Sequence, residues 1–258
     1  MNALTKLSLL AAASMTIWSC GKEGDDEGGK TGPQEKVEEV MLQKRSAKRG
    51  VCFNLGAYAS DDIPLLAAGC CWSYNWGSGT TEQAMSLFSK YEMDYCPMAW
   101  NSAWDEEAVR RFKASHPECR YILAYNEPNL TDQANMTPAA AAKDWPRLVA
   151  VAKELDMKII APAMNYGTLS GYSDPWKWLD EFFRQPGVSI DDVDGIAVHC
   201  YMSHPSALEW FIGEFKKYGK PIWLTEFCSW EGNISEKEQT RYMIEVLHYL
   251  ESDEDVFR

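Results

Sequence analysis

The chain has 258 residues, 46% hydrophobic and 24% charged, enough for one large domain or two small ones and ordinary for a globular protein. A formal charge of -13 argues against nucleic acid as a partner, because phosphate binding needs clustered Lys and Arg, and a neutral or weakly charged ligand fits better. The 11 tryptophans stand out: indole faces stack on the apolar faces of sugars and also fill cores, and core packing is expected to take more than half of them.

The first twenty residues read as a targeting segment. Lys6 supplies a short positive region and Leu7 to Trp18 an apolar run too short to span a bilayer as a lasting helix. Ser19-Cys20-Gly21 then resembles a bacterial lipoprotein cleavage site, with Cys20 as the lipidated residue. Residues 21 to about 45 open with a charged, Gly-rich stretch that has no apolar residue, cannot bury a core, and reads as a flexible tether. Lys22 followed by acids just after Cys20 resembles the surface-export signal of Bacteroidetes lipoproteins. That resemblance implies export across the inner membrane and a lipid anchor at the outer membrane or cell surface of a Gram-negative bacterium. The folded domain is then expected over 46–258.

From Gly50 onward, short apolar runs alternate with helical patterns. The strand candidates are 50–54, 70–75, 94–100, 121–126, 158–162, 195–201 and 221–227, each bounded by polar or Gly/Pro punctuation. They read as continuous apolar runs, as strands buried on both faces of a parallel sheet do. Between them, Thr80-Thr81-Glu82-Gln83 forms a capping-box pattern before a helix to Tyr91, and 105–115 carries early acids and later bases that suit a helix dipole. Thr137-Pro138 opens a long helix to about Leu155, with Pro146 expected to kink or split it. Asp174-Pro175 opens the next, 205–218 follows, and Ser235-Glu236-Lys237-Glu238 caps the last, to about Glu251. Repeated βα units imply an α/β fold with a parallel sheet, open or closed. No G-x-G-x-x-G follows the first strand, so a dinucleotide fold has no direct support. A complete (β/α)8 TIM-type barrel needs eight strands. The chain stops at Arg258, where the eighth should begin, so that strand is expected to be missing and the chain truncated.

Seven cysteines remain after Cys20, and most sit inside apolar runs, where Cys behaves as a small hydrophobe. There is no C-x-x-C and no Cys/His cluster of zinc spacing, so neither metal nor cofactor is expected.

Two glutamates stand out by position. Glu127, in Tyr125-Asn126-Glu127-Pro128-Asn129, ends the fourth strand; Glu226, in Trp223-Leu224-Thr225-Glu226-Phe227, ends the seventh. Each follows apolar strand residues, where burying a carboxylate is costly. Either alone could be a strand-end acid paired with an Arg or capping a helix. Both together at C-terminal strand ends form a pair able to cleave a glycosidic bond: retaining at about 5–5.5 Å separation, inverting when wider. The Asn126 amide can hydrogen-bond a sugar 2-hydroxyl, and Pro128 stiffens the turn that aims the acid.

Asn-Glu at the end of strand four with Glu at the end of strand seven resembles the clan of retaining (β/α)8 glycosidases. More closely, the chain is similar to glycoside hydrolase family 128, the glycosyl hydrolase catalytic-core family, most members of which are endo-β-1,3-glucanases. The similarity is carried by Cys71-Trp72-Ser73-Tyr74-Asn75-Trp76, Pro97-Met98-Ala99-Trp100, the Glu127 stretch, Ala161-Pro162-Ala163 and Leu224-Thr225-Glu226-Phe227. It implies Glu127 as general acid/base, Glu226 as nucleophile and a β-glucan substrate. His199 and Tyr201, two apart at the end of strand six, face one side and could orient Glu226. Asn54 and Asn165-Tyr166 could also reach the site. Trp72, Trp76, Trp100 and Trp104 cluster around strands two and three as candidate sugar-stacking platforms. Trp223 should face the helices by alternation from Glu226, and Trp145, Trp176, Trp178 and Trp210 are expected to pack within helices. Two other readings stand beside the glucanase: a non-catalytic surface glycan-binding lipoprotein, and a glycosidase of the same clan acting on another β-glycan.

Overall fold

The computed structural model describes residues 44–55, 58–230 and 232–258. The signal segment, Cys20 and all but the end of the tether lie outside them. The last tether residue belongs to the fold: the Arg45 guanidinium donates to the carbonyls of Cys70, Tyr91 and Glu92 at 2.7–3.2 Å. Among the described residues no helix is long and apolar enough to cross a membrane.

Strands and helices alternate in an α/β fold: β1 (Gly50–Cys52), α1 (Ala59–Leu66), β2 (Trp72–Tyr74), α2 (Glu82–Lys90), β3 (Asp94–Tyr95), α3 (Glu106–Ser115), β4 (Tyr121–Leu123), α4 (Pro138–Glu154), β5 (Lys158–Ile160), α5 (Pro175–Phe183), β6 (Ile196–Cys200), α6 (Pro205–Phe215), β7 (Ile222–Phe227) and α7 (Glu236–Ser252). The seven expected strands are present but shorter. α1 was not anticipated, because Pro64 lies inside it and blurs its periodicity. The side chains of Thr81, Asp105, Thr137 and Asp174 each accept a hydrogen bond from a first-turn N–H, and Ser235 with Glu238 closes a capping box. Pro146 does not split α4, which runs from Pro138 to Glu154. The buried row Ala142, Trp145, Leu148, Val151 continues past it.

All strand pairing is parallel. β1, β2 and β3 form one sheet in that order, and β4 pairs β5 as β6 pairs β7. Single bridges, Met98 to Leu123 and Ile160 to Gly195, join these groups. Among the described residues there is no strand after β7, only a bridge from the last residues to it. Val256 bridges Ile222 in parallel, and the Asp255 and Arg258 carbonyls accept from the Ile222 and Leu224 amides at 2.8 and 2.7 Å. The last residues thus lie alongside β7 through one bridge and two backbone hydrogen bonds. Lys48, just before β1, donates to the carbonyls of Leu250, Glu251 and Asp253, and Arg49 pairs with Glu251 at 2.7 Å, tying the end of α7 to the start of β1.

Alternating strand residues serve two cores. One side, with Ile122, Ile159, Val198 and Leu224, packs against helix side chains such as Trp145, Trp178, Phe211 and Val246. The other side gathers Trp72, Tyr74, Met98, Leu123, Ile160, Ala197 and Trp223 into one inner cluster. Trp223 is therefore core, as expected, but faces inward. Its parity with Glu226 is broken by a bulge: Val198 pairs Leu224, then His199 pairs Glu226, leaving Thr225 as an extra residue. A bulge re-aims the side chains beyond it. Here it brings Glu226 to the inner side along with Trp223.

Candidate active site

The inner cluster ends, at the C-terminal ends of the strands, in a polar group built around Glu127 and Glu226. Glu226 receives four approaches. Tyr74 and Trp76 donate to Oε1 at 2.8 and 2.7 Å, Tyr201 donates to Oε2, and Nε2 of His199 faces Oε1 at 3.5 Å, an ion-pair distance too poorly aligned for a hydrogen bond. Burial pushes the Glu226 carboxyl up, but facing His199 and the bonds from Tyr201, Trp76 and Tyr74 outweigh it, so its pKa lies below the ordinary value.

Glu127 is buried and stands on left-handed backbone, φ 43°, a strained conformation for a residue with a side chain. Its amide donates to Ala163 O at 3.1 Å, and its carbonyl accepts from Leu130 N at 3.0 Å, fixing the turn. Oε1 accepts from the Asn165 amide at 3.2 Å and lies 3.0 Å from Nδ1 of His199. A single imidazole, 0% exposed, therefore stands between the two acids. Burial disfavours a charged ring, but Glu226 and Glu127 overcome it, and the His199 pKa is raised. As an imidazolium the ring donates to Glu127 and turns its second N–H toward Glu226.

Asn126 is buried. Its backbone N–H donates to Trp100 O, and its amide donates to Gln133, while Oδ1 is buried with no hydrogen-bond partner in the protein. Asn129 donates to the carbonyls of Asn165 and Tyr172, pinning the loop after β5 to the turn after β4. That approach requires Gly167, since a Cβ there would lie 2.3 Å from the Asn129 carbonyl oxygen. Among the described residues no group of three or more His, Cys, Asp and Glu side chains is arranged to hold a metal ion.

The structure brings Glu127, Glu226, Asn126, His199, Tyr201 and Trp76 together, with Trp100 half-buried beside Asn126. Two expected platforms lie elsewhere. Trp72 is buried at the N-terminal end of β2, edge-on to Trp223, donating to Lys48 O beneath the Arg258 guanidinium. It is a floor of the inner core. Trp104 is buried under α4, bonded to Asp144 at 3.0 Å and covered by Arg147. Neither has a ring face free for a sugar. Asn165 joins the site through Glu127. Two further residues escaped the sequence reading. Tyr74 was findable by period two between Trp72 and Trp76. Trp230, 66% exposed and edge-on to Tyr201 at 5.7 Å, follows β7 with no periodicity to mark it. Among the described residues seven cysteines are free thiols, four of them buried. Cys70 is pushed up to about 11 and Cys96 to about 12, chiefly by burial, which leaves both inert.

The profile of the family described as "Glycosyl hydrolase catalytic core" matches residues 50–258. A family 128 (subgroup II) endo-β-1,3-glucanase from Pseudomonas viridiflava is 37% identical, with TM-score 0.75, over 83% of this chain and 85% of that one. A subgroup I endo-β-1,3-glucanase from Amycolatopsis mediterranei, solved with laminaritriose, is 25% identical, with TM-score 0.60, over 84% and 86%. Alkali-sensitive linkage protein 1 of Schizosaccharomyces pombe (strain 972 / ATCC 24843) is 26% identical over 83% of this chain, which spans 38% of that relative's length. With both a family profile over most of its length and a solved relative matched nearly end to end, the chain belongs to the glycosyl hydrolase catalytic core family and, within it, to glycoside hydrolase family 128.

Proposed function

We propose that this protein is a retaining endo-β-1,3-glucanase, with Glu226 as nucleophile and Glu127 as general acid/base at the mouth of a (β/α)8-type barrel. The observation that carries the reading is the imidazole of His199 set between the two carboxyls, 3.0 Å from one and 3.5 Å from the other, so that both acids address one small space. The lowered pKa of Glu226 suits a group that must stay ionised. Glu226 attacks the anomeric carbon while Glu127 gives its proton to the departing glycosidic oxygen. Glu127 then takes a proton from water, whose oxygen displaces Glu226 from the anomeric carbon, restoring both side chains.

The β-1,3-glucan substrate is inferred from what the family 128 relatives are named for and what one of them was solved with. Signal cleavage, lipidation of Cys20 and display on the cell surface complete the proposal, on the strength of the N-terminal sequence alone.

The test is reducing-sugar release from laminarin by the parent, Glu226→Gln and Glu127→Gln, with the anomer of the first product followed by NMR. Loss of turnover in both variants and a β-anomeric first product from the parent support the reading. An α product, or a Glu226→Gln variant as active as the parent, overturns the assignment of the nucleophile. Retained binding with no turnover by the parent on any β-glucan would favour the glycan-binding alternative.

A further inference from the structure

Three aromatic rings lead away from the candidate site across the outside of the fold. Tyr166 directly follows Asn165, which bonds Glu127, and is 45% exposed. Its ring meets Trp176, at the first turn of α5, at 5.8 Å, and Trp176 meets Trp210, on α6, at 5.7 Å. Trp210 is 51% exposed, which corrects its expected place as a packing residue. One turn beyond it on the same helix face stands Gly213. A glycine inside a helix costs about 1 kcal/mol relative to alanine. Nothing lies within 4 Å of where a Gly213 Cβ would sit, so packing does not demand the glycine. A side chain there would lean back toward the N-terminus of α6, over the Trp210 ring. The glycine keeps that ring face clear. Asp174 and Glu214, both exposed, place charge near the Tyr166 hydroxyl.

The exposed rings of Tyr166 and Trp210, backed by the half-buried Trp176 and edged by carboxylates, suit a neutral, hydroxyl-rich ligand: pyranose faces stack on the rings, and sugar hydroxyls donate to the acids. A nucleic acid or an acidic peptide would be repelled. Tyr166 adjoins the site: its amide donates to Oδ1 of Asn165 at 2.8 Å, and the Asn165 amide bonds Glu127. We propose that Tyr166 and Trp210, supported from beneath by Trp176 and with Trp210 left clear by Gly213, form a β-glucan-binding surface outside the cleft that holds the same polymer chain beyond the cleaved linkage. This rests on the glucanase reading for the identity of the polymer.

The experiment compares the full chain with Trp210→Ala and Gly213→Gln, neither of which touches the carboxyl pair. Co-sedimentation with insoluble curdlan is measured alongside laminaritriose hydrolysis, thermal midpoint and light-scattering mass. The expected result is curdlan binding weakened about five-fold or more in each variant, with trisaccharide turnover unchanged. Gly213→Gln should keep or raise the thermal midpoint, because it improves helix propensity, so its loss of binding cannot come from misfolding. Unchanged curdlan binding in both variants overturns the proposal, as does an equal loss on curdlan and trisaccharide. A halved mass for Trp210→Ala also overturns it, by showing the face to be an interface between copies. If the parent releases no sugar from any β-glucan, the glucanase reading fails, while the co-sedimentation comparison still decides the surface.

Discussion

Tyr74 donates its phenolic hydrogen to Oε1 of Glu226 at 2.8 Å across 152 positions of sequence. With Tyr201 and Trp76 it makes up the set of donors that keeps the carboxylate ionised in a buried place. Tyr74→Phe removes one donor without removing the ring. The Glu226 pKa then rises, so the acid limb of the kcat/KM profile moves to higher pH. Near neutrality kcat/KM should fall about tenfold, the worth of one hydrogen bond to a charged group. A pH–rate profile of laminarin hydrolysis checks it, and an acid limb that stays in place or moves down refutes it.

His199 links stability to pH through the same pair of acids. Its pKa is raised by folding, so its contribution is complete below the unfolded value near 6.5 and fades as pH climbs through the higher folded value. Glu226 has a lowered pKa, so its contribution is present above the unfolded value of about 4.3 and is lost as pH falls through the folded one. Both are in force at about pH 6. His199→Gln should therefore lose most there, about 3–5 kcal/mol for a buried pair deprived of one partner, and less at pH 9. Urea unfolding of parent and variant at the two pH values measures the difference. An equal loss at both would mean that the ring serves only as packing.

Trp72 and Trp230 should separate stability from binding. Trp72→Phe gives up the bond to Lys48 O and some volume in the inner core, which lowers stability by about 1–3 kcal/mol and leaves KM unchanged. Trp230→Ala removes an exposed ring next to Tyr201, which raises KM about five-fold and leaves the unfolding midpoint in place. Denaturant melts and Michaelis curves on laminarin distinguish the two.

The contrast between these tryptophans also marks how far sequence reaches. The β/α alternation, the capping residues and both strand-end glutamates were legible because each is a local pattern: apolar runs, Ser/Thr/Asp before a helix, an acid after apolar residues. Proximity along the chain then suggested that Trp72, Trp76, Trp100 and Trp104 act together. The strand geometry separates them, sending Trp72 to the opposite end of β2 from Trp76 and Trp104 beneath α4. The inward turn of Trp223 was invisible because alternation assumes no bulge, and Thr225 leaves no sign in composition. The bridge from Val256 to Ile222 has no local sequence mark, because one pairing leaves no strand pattern.

Gly167 is a remote handle on the acid/base. Any Cβ there must displace the Asn129 carbonyl, and with it the loop that delivers Asn165 to Glu127. Gly167→Ala should reduce kcat about ten- to a hundredfold with a smaller change in KM, since the displaced part positions a proton donor and not the substrate. Steady-state kinetics on laminarin-derived oligosaccharides test the split.

The Lys48 ammonium is held by carbonyls of Leu250, Glu251 and Asp253, more than two hundred positions away. A chain emerging from the ribosome cannot make that clasp until its final turn of helix has been synthesised. β1 must wait, unsealed on one flank, until residues 250–253 have been made, and contacts of such separation form slowly. Chaperone dependence and protease sensitivity of nascent chains should therefore persist until residues 250–253 have emerged, and then fall together.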